Sequence, residues 1–155
     1  MTVLAAVRPD AWNLPLFLHV LGAMVLVGAI TLGILSLATA GRNGSELTLR
    51  LGFRALAWAG LPAWVVMYAG AIWIETKEGY DKPGAATPSW IGIGHIAAEG
   101  GLLLLLVATA LANLALRRAV RGAPEGSHAR VAGALVALVL IGYVVAIWAM
   151  TTKPA

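Results

Sequence analysis

Four long apolar stretches, separated by short polar ones, set the pattern of this chain. They run from about Trp12 to Ala40, Leu51 to Ile74, Trp90 to Leu116 and Val131 to Met150. Each matches or exceeds the roughly 20 residues that a helix needs to cross a bilayer. Charges inside them are few: Glu99 well within the third, and Arg54 close to the start of the second. The interruptions have turn chemistry. Gly41-Arg42-Asn43-Gly44-Ser45 is a Gly/Asn turn, Glu75 to Ser89 contains Pro83, Gly84 and Pro88, and Arg117 to Arg130 contains Gly122, Pro124 and Gly126. Short connections make consecutive helices antiparallel neighbours. The pattern predicts an all-α fold: one integral membrane domain over residues 1–155, built as an up-down four-helix transmembrane bundle.

Composition excludes the soluble alternative. Of the 155 residues, 60% are hydrophobic and only 12% charged. A soluble domain this small has too little interior for that much apolar surface. There is no cysteine, so disulfides and thiolate metal sites are excluded. The net charge of +4 does not point to nucleic acid, because the basic residues cluster at helix ends. The first apolar stretch is too long for a cleaved signal peptide, whose apolar region is about 7–15 residues, and no basic cluster precedes it.

The first and third connections with their flanks hold Arg42, Arg50, Arg54, Arg117, Arg118, Arg121 and Arg130. The other side holds Arg8, Lys77, Lys82 and Lys153, offset by Asp10, Glu75, Glu78 and Asp81. This bias places the first and third connections in the cytoplasm and both termini outside the plasma (inner) membrane. Trp12, Trp73, Trp90 and Trp148 fall at the outer ends of the four helices and form an interfacial belt. Trp58 and Trp64 break that pattern. Gly22, Gly28, Ala29 and Gly33 on the first helix, and Gly92, Gly94, Gly100 and Gly101 on the third, allow close helix approach or space for a flat cofactor. Pro62 is expected to kink the second helix. The halves resemble a duplicated hairpin, each placing a histidine early and arginine at its cytoplasmic end.

Ionisable residues within a membrane are expensive and are functional candidates. His19, His95 and Glu99 are three. His19 follows Trp12 by seven residues and His95 follows Trp90 by five. At about 1.5 Å rise per residue, both imidazoles lie roughly 8–10 Å below the tryptophan belt. Glu99 follows His95 by four residues and shares its face. Tyr68 is placed at similar depth and could hydrogen-bond a cofactor. Three chemistries fit. One is haem b held between helices 1 and 3 by His19 and His95. Another is a bare iron, copper or zinc ion on His19 and His95, with Glu99 as a third or outer ligand. The third is proton or quinone chemistry with Glu99 and a histidine partner. The bland alternative is that the histidines bond neighbouring carbonyls and Glu99 ties helices together. His128 reads as a solvated loop residue, and Tyr143 and Asn113 as interhelical hydrogen-bond partners. Phosphate-binding loops, serine nucleophile elbows and His-Glu-x-x-His motifs are absent, so hydrolase and nucleotide-binding readings have no support.

The stretch Leu18-His19-Val20-Leu21-Gly22-Ala23, followed by Val27-Gly28, resembles the opening helix of the DUF2269 group of small bacterial membrane proteins. It is similar, more distantly, to copper-resistance D-like and protoporphyrinogen-oxidase J-like proteins. The resemblance covers roughly the first helix and implies that His19 is a cofactor or metal ligand. The oxidase J-like family is expected to use an intramembrane lysine, whereas Lys77, Lys82 and Lys153 all lie outside the apolar stretches. The copper-resistance pattern continues with tryptophan and paired glycines, which Val25-Leu26-Val27-Gly28-Ala29 does not match. The leading expectation is a haem- or metal-binding protein for electron transfer. The rivals are a cofactor-free accessory subunit of a larger membrane complex and a small transporter centred on Glu99; the expected partners are the lipid bilayer and other membrane subunits or further copies of the chain in a homo-oligomer.

Overall fold

The computed structural model describes residues 10–43, 45–83, 88–123 and 127–152. Every regular element among them is helical. A single 3-10 turn at Asp10–Trp12 leads into α1, Asn13–Asn43. Helix α2 is the continuous span Glu46–Glu78, α3 is Ser89–Val120 and α4 is His128–Thr152. All four are long and apolar enough to cross a membrane, with spans of 30, 33, 32 and 25 residues.

The helices outrun the apolar stretches that mark them. Helix α2 begins at Glu46 rather than near Leu51 and ends at Glu78 rather than near Ile74. The flanks Glu46-Leu47-Thr48-Leu49-Arg50 and Glu75-Thr76-Lys77-Glu78 are mostly good helix formers, so the backbone continues where the apolar pattern stops. An Arg50–Glu46 pair at 2.6 Å supports the first of these turns.

Pro62 perturbs α2 through its hydrogen-bond ladder. Residues Ala55–Gly60 form a π-helical segment, and Leu61 N–H donates to the carbonyl of Leu56, five residues back. Proline lacks the N–H that Trp58 O would otherwise accept, and its ring crowds that carbonyl. The wider turn relieves the conflict.

Helix α1 packs against α2 and α4, and α3 packs against α4 and α2. The four close a ring in which α1 and α3 lie across from each other. The core is Leu26, Ile30, Leu37, Leu49, Leu56, Leu105 and Val136, all below 2% exposed. Ala108, Ala112 and Ala115 of α3 are buried, as are Ala129 and Ala132 of α4. Such small side chains let helices in lipid approach closely. Phe17, Met24, Ile96, Leu103 and Ile141 are each more than half exposed. Helices that are apolar on their outer faces as well as inside are those of a membrane span or of the core of a larger assembly.

Candidate functional site

Polar side chains gather at one end of the ring. His19 comes from the second turn of α1, where α1 and α2 nearly touch. A β-carbon at Gly22 would lie 2.5 Å from Met67 N, and one at Gly70 would lie 2.7 Å from His19 N. Only glycine fits at these two positions, and the close approach carries His19 Nδ1 to 2.9 Å from the Met67 carbonyl. A carbonyl only accepts, so Nδ1 carries the proton; in the neutral ring Nε2 is left with its lone pair.

His95 comes from the second turn of α3 and is engaged on both ring nitrogens. Nε2 lies 2.9 Å from Glu75 Oε1 and 3.0 Å from Oε2. Nδ1 lies 3.4 Å from the Tyr68 hydroxyl and 3.5 Å from Glu99 Oε1. Tyr68 donates its own proton to Glu99 Oε1 at 2.7 Å. The tyrosine is fixed in turn by Trp64, whose ring stacks on it at 4.8 Å. The Trp64 indole N–H donates to Ala98 O at 2.9 Å. Polar and aromatic side chains thus join α2 to α3 here, where backbone contact joins α1 to α2.

These residues surround a cavity of about 80 Å³ to which all four helices contribute, through His19, Met67, Tyr68, Glu75, His95 and Tyr143 among others. One buried water needs about 10–15 Å³ of such space, so a handful fit. Sites for drug-sized ligands start at about 300 Å³, well above this volume. Tyr143 is only 7% exposed. Its hydroxyl has no hydrogen-bond partner among the described residues. Trp64 is the polar group within reach, but its N–H is already given to Ala98. The hydroxyl sits over Gly101, where a β-carbon would come within 2.9 Å of it. A buried hydroxyl left in this way is a natural anchor for water.

Of the residues singled out by sequence, His19, His95, Tyr68 and Tyr143 line this cavity. Glu99 keeps its contact with His95 one turn away, yet its side chain is 61% exposed and lies on the α2–α3 seam. Among the described residues, no group of three or more His, Asp or Glu side chains is arranged to hold a metal ion. Tyr143, expected to bond across helices, does not.

Glu75 was missed, because Glu-Thr-Lys-Glu-Gly reads as the start of a polar loop. The helix instead runs on to Gly79, which takes φ 79°. Tyr80 N–H then caps Glu75 O at 3.1 Å and Gly79 N–H caps Thr76 O at 3.3 Å. This is the left-handed glycine termination of a helix. Glycine at that position, with Tyr68 and Glu75 seven residues apart on one face, is the signal that could have found it. No known protein family, curated protein or solved structure matches this chain.

Proposed function

We propose that this chain is a small proton-transferring membrane protein whose relay is Glu75, His95, Tyr68 and Glu99. The observation that carries the reading is His95, held between two carboxylates and a tyrosine hydroxyl at the wall of a largely apolar cavity. Imidazole accepts a proton on one nitrogen and releases one from the other, and carboxylates on both sides make either direction favourable. Waters in the cavity extend the relay toward His19 and Tyr143. Beyond Tyr143 the interior is filled by Leu26, Ile30, Leu105 and Val136, each at most 1% exposed. An apolar layer of this kind closes a path until water enters it. The bundle is read as up-down in the plasma membrane, with both termini and the histidine end outside, from the arginine bias. Purified protein in sealed vesicles tests this: a pH gradient should collapse faster than in protein-free vesicles, and His95→Ala or Glu99→Gln should slow the collapse.

A second reading rests on His19, whose Nε2 has no partner among the described residues. A ring fixed through Nδ1 to a carbonyl presents Nε2 in the manner of a metal-ligating histidine. The space suits an ion with its waters. Haem b on His19 and His95 requires Glu75 to release His95 Nε2. Metal analysis and oxidised and reduced absorption spectra of protein kept from chelators decide between an ion, haem and neither.

A further inference from the structure

The arginine-rich end carries an open groove that the proton relay does not use. Arg50 and Arg54, one turn apart on α2, line it together with Arg117 and Arg121, one turn apart at the end of α3. Its volume is about 420 Å³. This lies within the roughly 300–1,000 Å³ common for ligand sites. Trp58, Phe53, Leu116 and Val120 give the groove an apolar wall.

Two features single this groove out from an ordinary basic helix end. The first is uncompensated charge. Arg50 pairs with Glu46 at 2.6 Å, while Arg54, Arg117 and Arg121 have no acidic partner among the described residues. Like charges gathered in one groove beside lipid favour an anion between them. The second is the π-helical segment Ala55–Gly60, which begins directly after Arg54. It carries Trp58, which is 78% exposed. Such segments are frequent at functional sites. Trp58, which breaks the tryptophan belt at the other end, thus stands on the rim of a basic groove. An amphipathic ring suits the boundary between headgroups and acyl chains.

We propose that this groove binds the phosphate headgroup of an anionic phospholipid, with Arg54, Arg117 and Arg121 on the phosphate and Trp58 and Val120 along the acyl chains. Guanidinium forks match phosphate oxygens in pairs. The apolar wall beside them selects a lipid over a free phosphate. The proposal stands independently of the proton relay.

Native mass spectrometry of the full chain in mild detergent tests it, with phosphatidylglycerol and phosphatidylcholine offered at equal concentration. Phosphatidylglycerol should be retained about tenfold or more in preference, given about 1 kcal/mol per arginine near an anionic surface. R54Q/R117Q/R121Q should abolish the preference with helix content unchanged by circular dichroism. Arg121→Gln alone, at the exposed end of α3, should lower the preference several-fold without touching the core. Millimolar inorganic phosphate should not displace the lipid. Equal retention of both lipids, an unchanged preference in the variants, or displacement by inorganic phosphate would each overturn the proposal.

Discussion

Glu75 and His95 meet across the α2–α3 seam, with His95 Nε2 2.9 Å from Glu75 Oε1. The pair links the last turn of one helix to the second turn of the next. It is half-buried, so its worth is modest compared with a fully desolvated ion pair. Glu75→Ala should lower stability by about 1 kcal/mol, the scale of a single net hydrogen bond. Glu75→Gln, which can still accept the imidazole proton through its amide oxygen, should recover most of that loss. Thermal unfolding in one detergent compares them, and equal losses in both variants would contradict the hydrogen-bonded geometry.

The α1–α2 contact gives a sharper steric prediction. At Gly22 and Gly70 an added methyl group meets backbone atoms, which cannot swing away as a flexible side chain can. Gly22→Ala and Gly70→Ala should each destabilise by about 1–3 kcal/mol, as overpacking does. Both should also disturb the His19–Met67 bond. Gly28 and Gly92 have open space at the same position, so Gly28→Ala and Gly92→Ala should be neutral or stabilising by up to about 1 kcal/mol. Paired unfolding measurements check the contrast, and a loss at Gly28 equal to that at Gly22 would refute it.

The four membrane-length helices were legible because apolar runs of that length have one physical solution in lipid. Counting residues down from the tryptophans places His19 and His95 at a similar level, and both line the same cavity. Glu75 was not legible, because hydropathy reports where the hydrocarbon begins and ends, while a helix ends where its capping residue lies. The partners of the two histidines within the protein were not legible either. Depth follows from sequence, but which side chains satisfy a ring nitrogen depends on the neighbours that packing supplies. For His95 those are Glu75, Tyr68 and Glu99.

Tyr143 separates a structural hydroxyl from one that holds water. Its O–H is buried without a partner, so Tyr143→Phe removes an unsatisfied group and should not destabilise the bundle; it should stabilise by up to about 1–2 kcal/mol if the hydroxyl is dry. If waters occupy the cavity, stability should change little and proton transfer should fall. Unfolding and flux measured on the same preparation distinguish the two cases, and a large loss of stability would contradict the packing described.

Trp64 positions the relay without belonging to it. Trp64→Phe keeps the stacking on Tyr68 but removes the N–H given to Ala98 O. A stability loss of about 1 kcal/mol is expected, with Tyr68 fluorescence reporting any change in its surroundings. An unchanged stability would mean that the indole bond does not join α2 to α3.

The central claim is that protons pass along Glu75, His95, Tyr68 and Glu99. Its most direct test is the decay of an imposed pH gradient in sealed vesicles, followed with an internal pH-sensitive dye. Wild-type protein and Gly28→Ala should dissipate the gradient at the same rate. His95→Ala and Glu99→Gln should bring it near the protein-free rate, an effect of about tenfold or more for loss of a proton-transfer group. Equal decay in wild type, variants and empty vesicles, with all proteins folded and inserted, would contradict the claim and reduce the cluster to a tie between α2 and α3.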